Sequence, residues 1–438
     1  MNNNFITVIG AGLAGCEAAN IIACAGIPVR LIEMKPKKKS PAHESDLFAE
    51  LVCSNSLKAE RLTSAAGLLK AEMQLFGSLC VESAYLSRVP AGGALAVDRE
   101  LFSSAITNKI KENPFIEVVS GEAELIPDSS ENICVVATGP LTSDSLAADI
   151  SKHIGEKMLS FYDAAAPIVT GESVDPEYSF AAARYGRGDD DYINCPMDKE
   201  QYTAFYRELV SAECALPEKA DEGIRLYEGC MPIERMAKRG EDTIRFGPLK
   251  PVGLTDPKTG RRPYAVVQLR QENADGKLFN LVGFQTNLKF GEQKRVFSMI
   301  PALHSAEFMR YGVMHRNTFI DSPRVLKADF SLKSEPNIFF AGQITGVEGY
   351  MESAASGILA GINAVRRFKN DEHFILPRES MMGALAHYIS DESVSHFQPM
   401  GANFGILPSI GGIRDKQERY AALSARAIET VKGLVNNG

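Results

Sequence analysis

Gly10-Ala11-Gly12-Leu13-Ala14-Gly15 is a G-x-G-x-x-G set between an apolar, β-branched run and a stretch of small residues. NFITVIG (4–10) reads as a short buried strand, AGLAGCEAANIIACAG as a helix, and PVRLIEM (28–34) as a second strand. Strand, glycine turn, helix and strand make a βαβ unit, which requires a parallel sheet. In that setting Gly10 permits the tight turn, Gly12 lets a pyrophosphate reach the helix N-terminus, and Gly15 lets the helix lie close to the sheet. Ala11, Leu13 and Ala14 complete the predicted cofactor-binding loop. Glu33 ends the second strand, at the spacing of a carboxylate that grips ribose hydroxyls. The glycines alone would be a weak signal; with both strands, the helix and the acid they predict a dinucleotide site.

Two later segments bear on which dinucleotide. Val136-Ala137-Thr138-Gly139 is a strand ending in Thr-Gly, as where large flavoproteins pass the chain from an FAD domain into an inserted one. Phe340-Ala341-Gly342-Gln343 leads into a glycine-rich helix start, with Gln343 where Asp is more usual; a carboxamide still hydrogen-bonds ribityl or phosphate oxygens. A helix expected to start near Ser353 points its positive end the same way. An S-adenosylmethionine methyltransferase would account for the first motif but would not need the other two. FAD is therefore the expected cofactor. Between these segments the texture changes: aromatic and charged residues alternate with Gly/Pro turns. The expected architecture is α/β, a Rossmann-like FAD-binding domain in two parts (1–154 and 326–438) with an inserted α+β domain (155–325).

Apolar residues at 45% and charged residues at 23% describe an ordinary globular chain. No apolar run is long enough to cross a bilayer, and MNNNFITVIG lacks an export signature, so no membrane role and a cytoplasmic location are expected. A net charge of −8 means that a nucleic-acid partner must find a local basic patch. Lys238-Arg239, Arg261-Arg262, Lys289 and Lys294-Arg295 are the candidates; such pairs either solvate a surface or together cradle phosphates.

Of the eight cysteines, none has the spacing of a metal site, and no metal is expected. Cys16, Cys24 and Cys134 lie in apolar elements and are expected in the core, and Cys80 and Cys195 are read the same way. Cys53 and Cys230 sit in loops (LVCSNS and EGCMP), where packing and chemistry both stay open as explanations. His315 reads as a satisfied surface or interface histidine.

From VIGAGLAG through PAHESDLFAELVCSNSLK, VPAGGALAVDR, EGCMPIE, RPYAVVQLRQ and YGVMHRNTFI to FFAGQITGVEGY and FQPMGANFG, the chain resembles the TrmFO family of folate- and FAD-dependent tRNA (uracil-5-)-methyltransferases. The larger GidA flavoproteins share the FAD motifs but carry an extra helical C-terminal domain, which this chain is too short to hold. The resemblance implies methylation of a uridine at C5, most simply in the tRNA T-arm. Methylenetetrahydrofolate would donate the carbon and NAD(P)H the electrons, with no obligate protein partner. It implies Cys230 as the nucleophile toward uracil and Cys53 as a second cysteine near the flavin, shielding it or handling the C5 proton. His315 would stack on the folate and Tyr350 would lie beside the flavin. Lys58 stands where Arg is common in the family, keeping the charge but not the bidentate fork. A family branch acting on large-subunit ribosomal RNA stays open, as does an FAD-bound RNA-binding protein without methyl transfer.

Overall fold

The computed structural model describes residues 4–40, 42–155, 159–186, 190–215, 231–394 and 397–435, with backbone alone at 159–163 and 315–316. Its central sheet has five strands: β1 (Ile6–Ile9), β2 (Val29–Glu33), β3 (Ile116–Ser120), β4 (Cys134–Val136) and β5 (Ile338–Phe340). They run in the order β5-β4-β1-β2-β3 and every pairing is parallel. β1, in the middle, is buried along its whole length. A strand covered on both faces gains from a continuous apolar run, which is what ITVI supplies.

Helix α1 (Leu13–Cys24) follows β1, and helix α2 (Tyr350–Lys369) follows β5. The two helices meet along small residues: a Cβ on Gly357 would sit 2.2 Å from the Ala14 carbonyl oxygen, and one on Gly361 would sit 3.0 Å from the Ala18 Cα. α2 begins at Tyr350, a turn before the expected Ser353, because Gly349 (φ +125°) ends the preceding loop and helical backbone starts directly after it. Cys16, Cys80, Cys134 and Cys195 are buried as expected, but Cys24 is exposed. It lies on the last turn of α1, beyond Ile22 and Ala23, which carry the buried face.

A second sheet of six antiparallel strands occupies the inserted region. Its order is Phe180–Ala181, Tyr192–Met197, Ala265–Gln271, Leu278–Leu281, Ile168–Thr170, Phe308–Arg310. It has its own core, built on Cys195, Val267, Leu269, Phe284 and Phe297, separate from the cluster around the parallel sheet. A two-stranded ribbon, Leu159–Ala164 against Met314–Phe319, joins the two regions and sets His315 opposite Asp163. The architecture is thus a Rossmann-like α/β unit with an inserted α+β unit. No helix among the described residues is long and apolar enough to cross a membrane.

The Ala65–Leu75 helix carries a buried acid, Glu72, whose carboxylate accepts the Met381 and Met382 N–H groups at 2.7 and 2.9 Å. These are the first-turn donors of the Met381–Tyr388 helix, which otherwise lack intrahelical partners. Burial pushes the Glu72 pKa up to about 7, against the pull of the two N–H groups. Folded protein therefore holds a proton between pH 4.5 and 7 that unfolded chain releases, and this group's contribution to stability falls as pH rises through that window. Urea midpoints measured from pH 4.5 to 7.5 should decline for the wild type. The decline should flatten in Glu72→Gln, and an unchanged slope would exclude Glu72 as its source.

Candidate dinucleotide and thiol site

A cleft of about 670 Å³ opens at the carboxyl ends of β1, β2 and β4, walled by Gly10, Ala11, Gly12, Glu33, Ala137 and Thr138 among others. Crevices at that edge of an open parallel sheet are where such folds bind ligands. Gly10 has φ +96°, and a Cβ there would lie 2.7 Å from the Ala137 carbonyl oxygen. A Cβ on Gly15 would lie 1.8 Å from the Gly10 oxygen. The folded chain itself demands those two glycines. Gly12 differs: its φ is −74° and a Cβ would meet nothing within 4 Å. The protein alone has no need of a glycine there, whereas a phosphate lying on the helix end does. No side chain caps α1, so the helix end that follows Gly12 on the cleft wall keeps its first-turn N–H groups without a side-chain acceptor, as an anion site requires.

Glu33 is 6% exposed, and its two oxygens accept the Ala11 N–H (2.7 Å) and the Lys35 N–H (2.9 Å). The carboxylate thereby pins the glycine loop to β2, and its remaining lone pairs are the natural acceptors of ribose hydroxyls. Gly139 (φ +67°) turns the chain after β4 without lining the cleft, beside a Thr138–Thr142 hydroxyl contact of 2.7 Å. Gly342 lies against α1: a Cβ on it would be 3.1 Å from the Ala14 Cβ, and its N–H donates to Ser356 Oγ at 2.7 Å. The Gln343 carboxamide spends one N–H on Glu348 at 2.7 Å. These elements fit a dinucleotide, its pyrophosphate on α1 and its far end toward Gly342.

The thiol loop is tied to the same place. The Ala49 N–H donates to the Ala11 carbonyl at 2.9 Å, and four residues on Cys53 meets Tyr350, the first residue of α2. The Tyr350 hydroxyl oxygen accepts the Cys53 N–H (2.8 Å) and the Ser54 N–H (3.2 Å) and lies 3.0 Å from the Cys53 Sγ. Burial, then the adjacent Cys53, pushes the Tyr350 pKa well above its ordinary value, so the phenol keeps its proton. With its oxygen accepting two N–H donors, the phenol is placed to share its proton with the sulfur.

Cationic side chains back this loop. Arg99 donates to both Glu272 oxygens (2.8 and 3.3 Å) and to the Leu51 carbonyl (2.6 Å). Burial opposes its charge, but Glu272, then Tyr350 and Cys53, outweigh that and hold its pKa above the ordinary value. Arg270, on the Ala265–Gln271 strand, donates to Asn55 Oδ1 (2.9 Å) and Ser54 Oγ (2.8 Å). Asn55 returns its amide to the Val97 and Gln271 carbonyls. The six-stranded sheet and the thiol loop are therefore one hydrogen-bonded unit. Lys58 pairs with the buried Glu352 of α2's first turn at 2.7 Å.

Cys230 falls outside the described residues. The chain just after it is anchored by Ile233 N–H to the Gln285 carbonyl (2.7 Å), and buried Glu234 holds the Thr286 hydroxyl and the Asn287 N–H. His315 is placed by its backbone only, on the ribbon strand. Arg99, Glu272, Arg270 and Asn55 were not singled out from sequence. Arg270 had a readable signal, since alternation along AVVQLRQ puts Gln268 and Arg270 on one face and Val267 and Leu269 on the core face. Of the basic pairs, Lys289 is engaged by Glu213, and Arg295 by Glu208 and Glu292, so these two cations are not set aside for phosphate.

Fold and site together define a Rossmann-type dinucleotide-binding protein with a thiol beside its cofactor crevice. A family model described as glucose inhibited division protein A matches residues 5–372. Among solved structures, Aquifex aeolicus GidA in its form I crystal superposes with a TM-score of 0.72 at 16% identity, covering 98% of this chain and 76% of that one. Among curated proteins, methylenetetrahydrofolate--tRNA-(uracil-5-)-methyltransferase TrmFO of Acetivibrio thermocellus is 58% identical over 434 residues, 99% of each chain. The enzyme of the same name from Ligilactobacillus salivarius is 56% identical over 98% of each. The chain belongs to the TrmFO family, within the wider GidA group.

The two kinds of glycine should separate experimentally. Gly12→Ala should keep the urea midpoint of the wild type while weakening dinucleotide binding about tenfold, in line with about 1–3 kcal/mol of overpacking against the ligand. Gly15→Ala should lower the midpoint itself. Cofactor titration and urea unfolding of both variants check this, and equal destabilisation by the two would refute the distinction.

Proposed function

We propose that this chain methylates a uridine of tRNA at C5, in the T-arm, with methylenetetrahydrofolate as one-carbon donor, NAD(P)H as reductant and FAD in the dinucleotide cleft. The observation that carries this reading is the end-to-end identity with relatives bearing that name. The Cys53–Tyr350 pair gives it a chemistry. In this reading residues 1–154 and 326–438 bind FAD, residues 155–325 are inserted between them, and the enzyme works in the cytoplasm without an obligate protein partner.

The chain's residues divide the work. Gly10 to Gly15 and Glu33 hold the pyrophosphate and ribose, Gly342, Gln343 and Tyr350 border the rest, and Gly139 turns the chain behind the cleft wall. Bound there, FAD supplies the hydride chemistry that takes a carbon from the methylene to the methyl oxidation level. Uracil C5 is a poor nucleophile until an electron pair enters at C6. The Cys230 thiolate forms an S–C6 bond and drives that pair toward C5, which bonds the one-carbon unit as the folate nitrogen leaves. The C5 proton passes to the Cys53 sulfur, held by the Tyr350 hydroxyl, as the second carbon–nitrogen bond between the one-carbon unit and folate breaks and leaves an exocyclic methylene on C5. A hydride reaching the one-carbon unit completes the methyl group as the S–C6 bond breaks and returns the thiolate. His315 stacks on the folate.

Purified protein given methylenetetrahydrofolate, NAD(P)H and unmodified tRNA transcript should form 5-methyluridine by mass spectrometry, dependent on folate and indifferent to S-adenosylmethionine. Cys230→Ala and Cys53→Ala should retain FAD and make no product; full activity in either removes that cysteine from the scheme. Product on ribosomal RNA in place of tRNA would move the target and keep the chemistry.

The Tyr350 role has its own check. Tyr350→Phe deletes the oxygen that serves the thiol and two N–H groups, and turnover should fall about 10- to 100-fold, the scale of a charge-assisted hydrogen bond. FAD content serves as the control for folding. Unchanged turnover across pH would show that the phenol does not act on the sulfur.

A further inference from the structure

A second cleft, of about 1350 Å³, lies at the seam between the six-stranded sheet and the segments around the thiol loop. One wall is Ala59, Glu60, Arg61 and Gly92–Ala94; the other includes Arg184, Tyr185, Tyr192 and Gln268. Arg184 is half-buried and held by neutral groups only, Gln268 Oε1 at 2.7 Å and the Val252 carbonyl at 2.8 Å. Among the described residues no carboxylate pairs with it, and burial lowers its pKa. A guanidinium positioned this way is a fixed positive charge prepared for an anion, since leaving it desolvated and uncompensated costs stability. The acid nearest in sequence to the opposite wall's Arg61, Glu60, is already matched by Arg88 at 2.7 Å.

Two further features point to a nucleic-acid strand rather than a lone ion. Tyr185 is 61% exposed and sits at φ +57°, a backbone region that bulky residues avoid, with its ring packed over Gly253. Its side chain is largely exposed beside the guanidinium, and exposed aromatics next to arginine are where unstacked bases rest. Gly93 has an ordinary φ, and a Cβ there would meet nothing within 4 Å, so neither backbone nor packing calls for glycine; a bare backbone lets a bulky strand lie close. One strand links the cleft to the thiol loop. Gln268 on its wall is two residues from Arg270, on the same strand face, and Arg270 holds Ser54 and Asn55 next to Cys53.

We propose that this cleft carries the unstacked RNA strand adjoining the target uridine, with Arg61 and Arg184 on its phosphates and Tyr185 against a base. The inference rests on RNA being the substrate, as read above. Arg184 is then a positioning residue: it aligns the strand so that the base enters beside Cys53.

The test is binding of the FAD-loaded enzyme to unmodified tRNA transcript by fluorescence anisotropy over a range of salt, run beside 5-methyluridine formation and folate KM. Arg184→Gln should weaken tRNA binding about tenfold or more and reduce the slope of log K against log salt by about 0.7–0.9. Tyr185→Gly, which also relieves the backbone strain, should weaken binding roughly 5- to 100-fold. Gly93→Val, placed in open space, should fold as the wild type does and still weaken binding; FAD content reports on folding in all three. Wild-type tRNA affinity in folded Gly93→Val and Tyr185→Gly would overturn the proposal. So would a raised folate KM with unchanged tRNA affinity in Arg184→Gln, which would assign the anion to the folate glutamate. A wild type that binds tRNA through these residues yet forms no 5-methyluridine would sink the functional reading and leave the cleft standing.

Discussion

The close approach of α1 and α2 governs the rest of the molecule. Two helices can bring their backbones together only where side chains do not intervene, and here Ala14 and Ala18 face Gly357 and Gly361. A side chain on Gly357 would run into the Ala14 carbonyl. Because α2 is seated so low, the turn preceding it brings Gly342 against the first turn of α1, and Tyr350 comes within hydrogen-bond reach of Cys53. The cofactor crevice and the thiol are thus positioned by one packing contact between helices more than three hundred residues apart in the chain.

The second organising feature is the polar seam between the two sheets. Buried Arg270 and partly buried Arg99 are costly unless their hydrogen bonds are met, and the structure meets them with Asn55, Ser54, the Leu51 carbonyl and Glu272. The same contacts hold the loop that carries Cys53, so the inserted sheet supports the thiol from outside the lining of the glycine-loop cleft. The seam has a graded charge balance: Arg99 has a carboxylate partner, Arg270 has neutral partners with Glu272 at longer range, and Arg184 at the mouth has neutral partners alone. Satisfaction falls off toward the opening, where a ligand rather than the chain would supply the missing charge.

Much of the parallel half was legible from sequence because its signals are local. The Gly10 turn and the Glu33 position follow from a six-residue motif and a strand length. Errors came where a local pattern meets a boundary or a face. Cys24 shares the apolar texture of α1 but sits past its buried stripe, and α2 starts at Tyr350 because the strained Gly349 backbone, not a capping side chain, opens it. Lys289 and Arg295 stayed open between a solvated surface and a phosphate cradle because their partners Glu213 and Glu208 lie more than seventy residues upstream. Charge runs show what a surface contains and hide what it is bound to.

By itself the sequence determined the βαβ turn, the glycines of the loop after β1 and the carboxylate that ends β2. Glycine conformation and strand or helix periodicity act over a few residues, so they are written where they operate. Only the tertiary structure decided that Tyr350 serves a cysteine 297 positions away, and that Arg270 of another sheet braces the same loop. Those contacts exist because two backbones meet at a chosen distance and register, which depends on the packing of whole helices and sheets and leaves no mark in any one stretch of the chain.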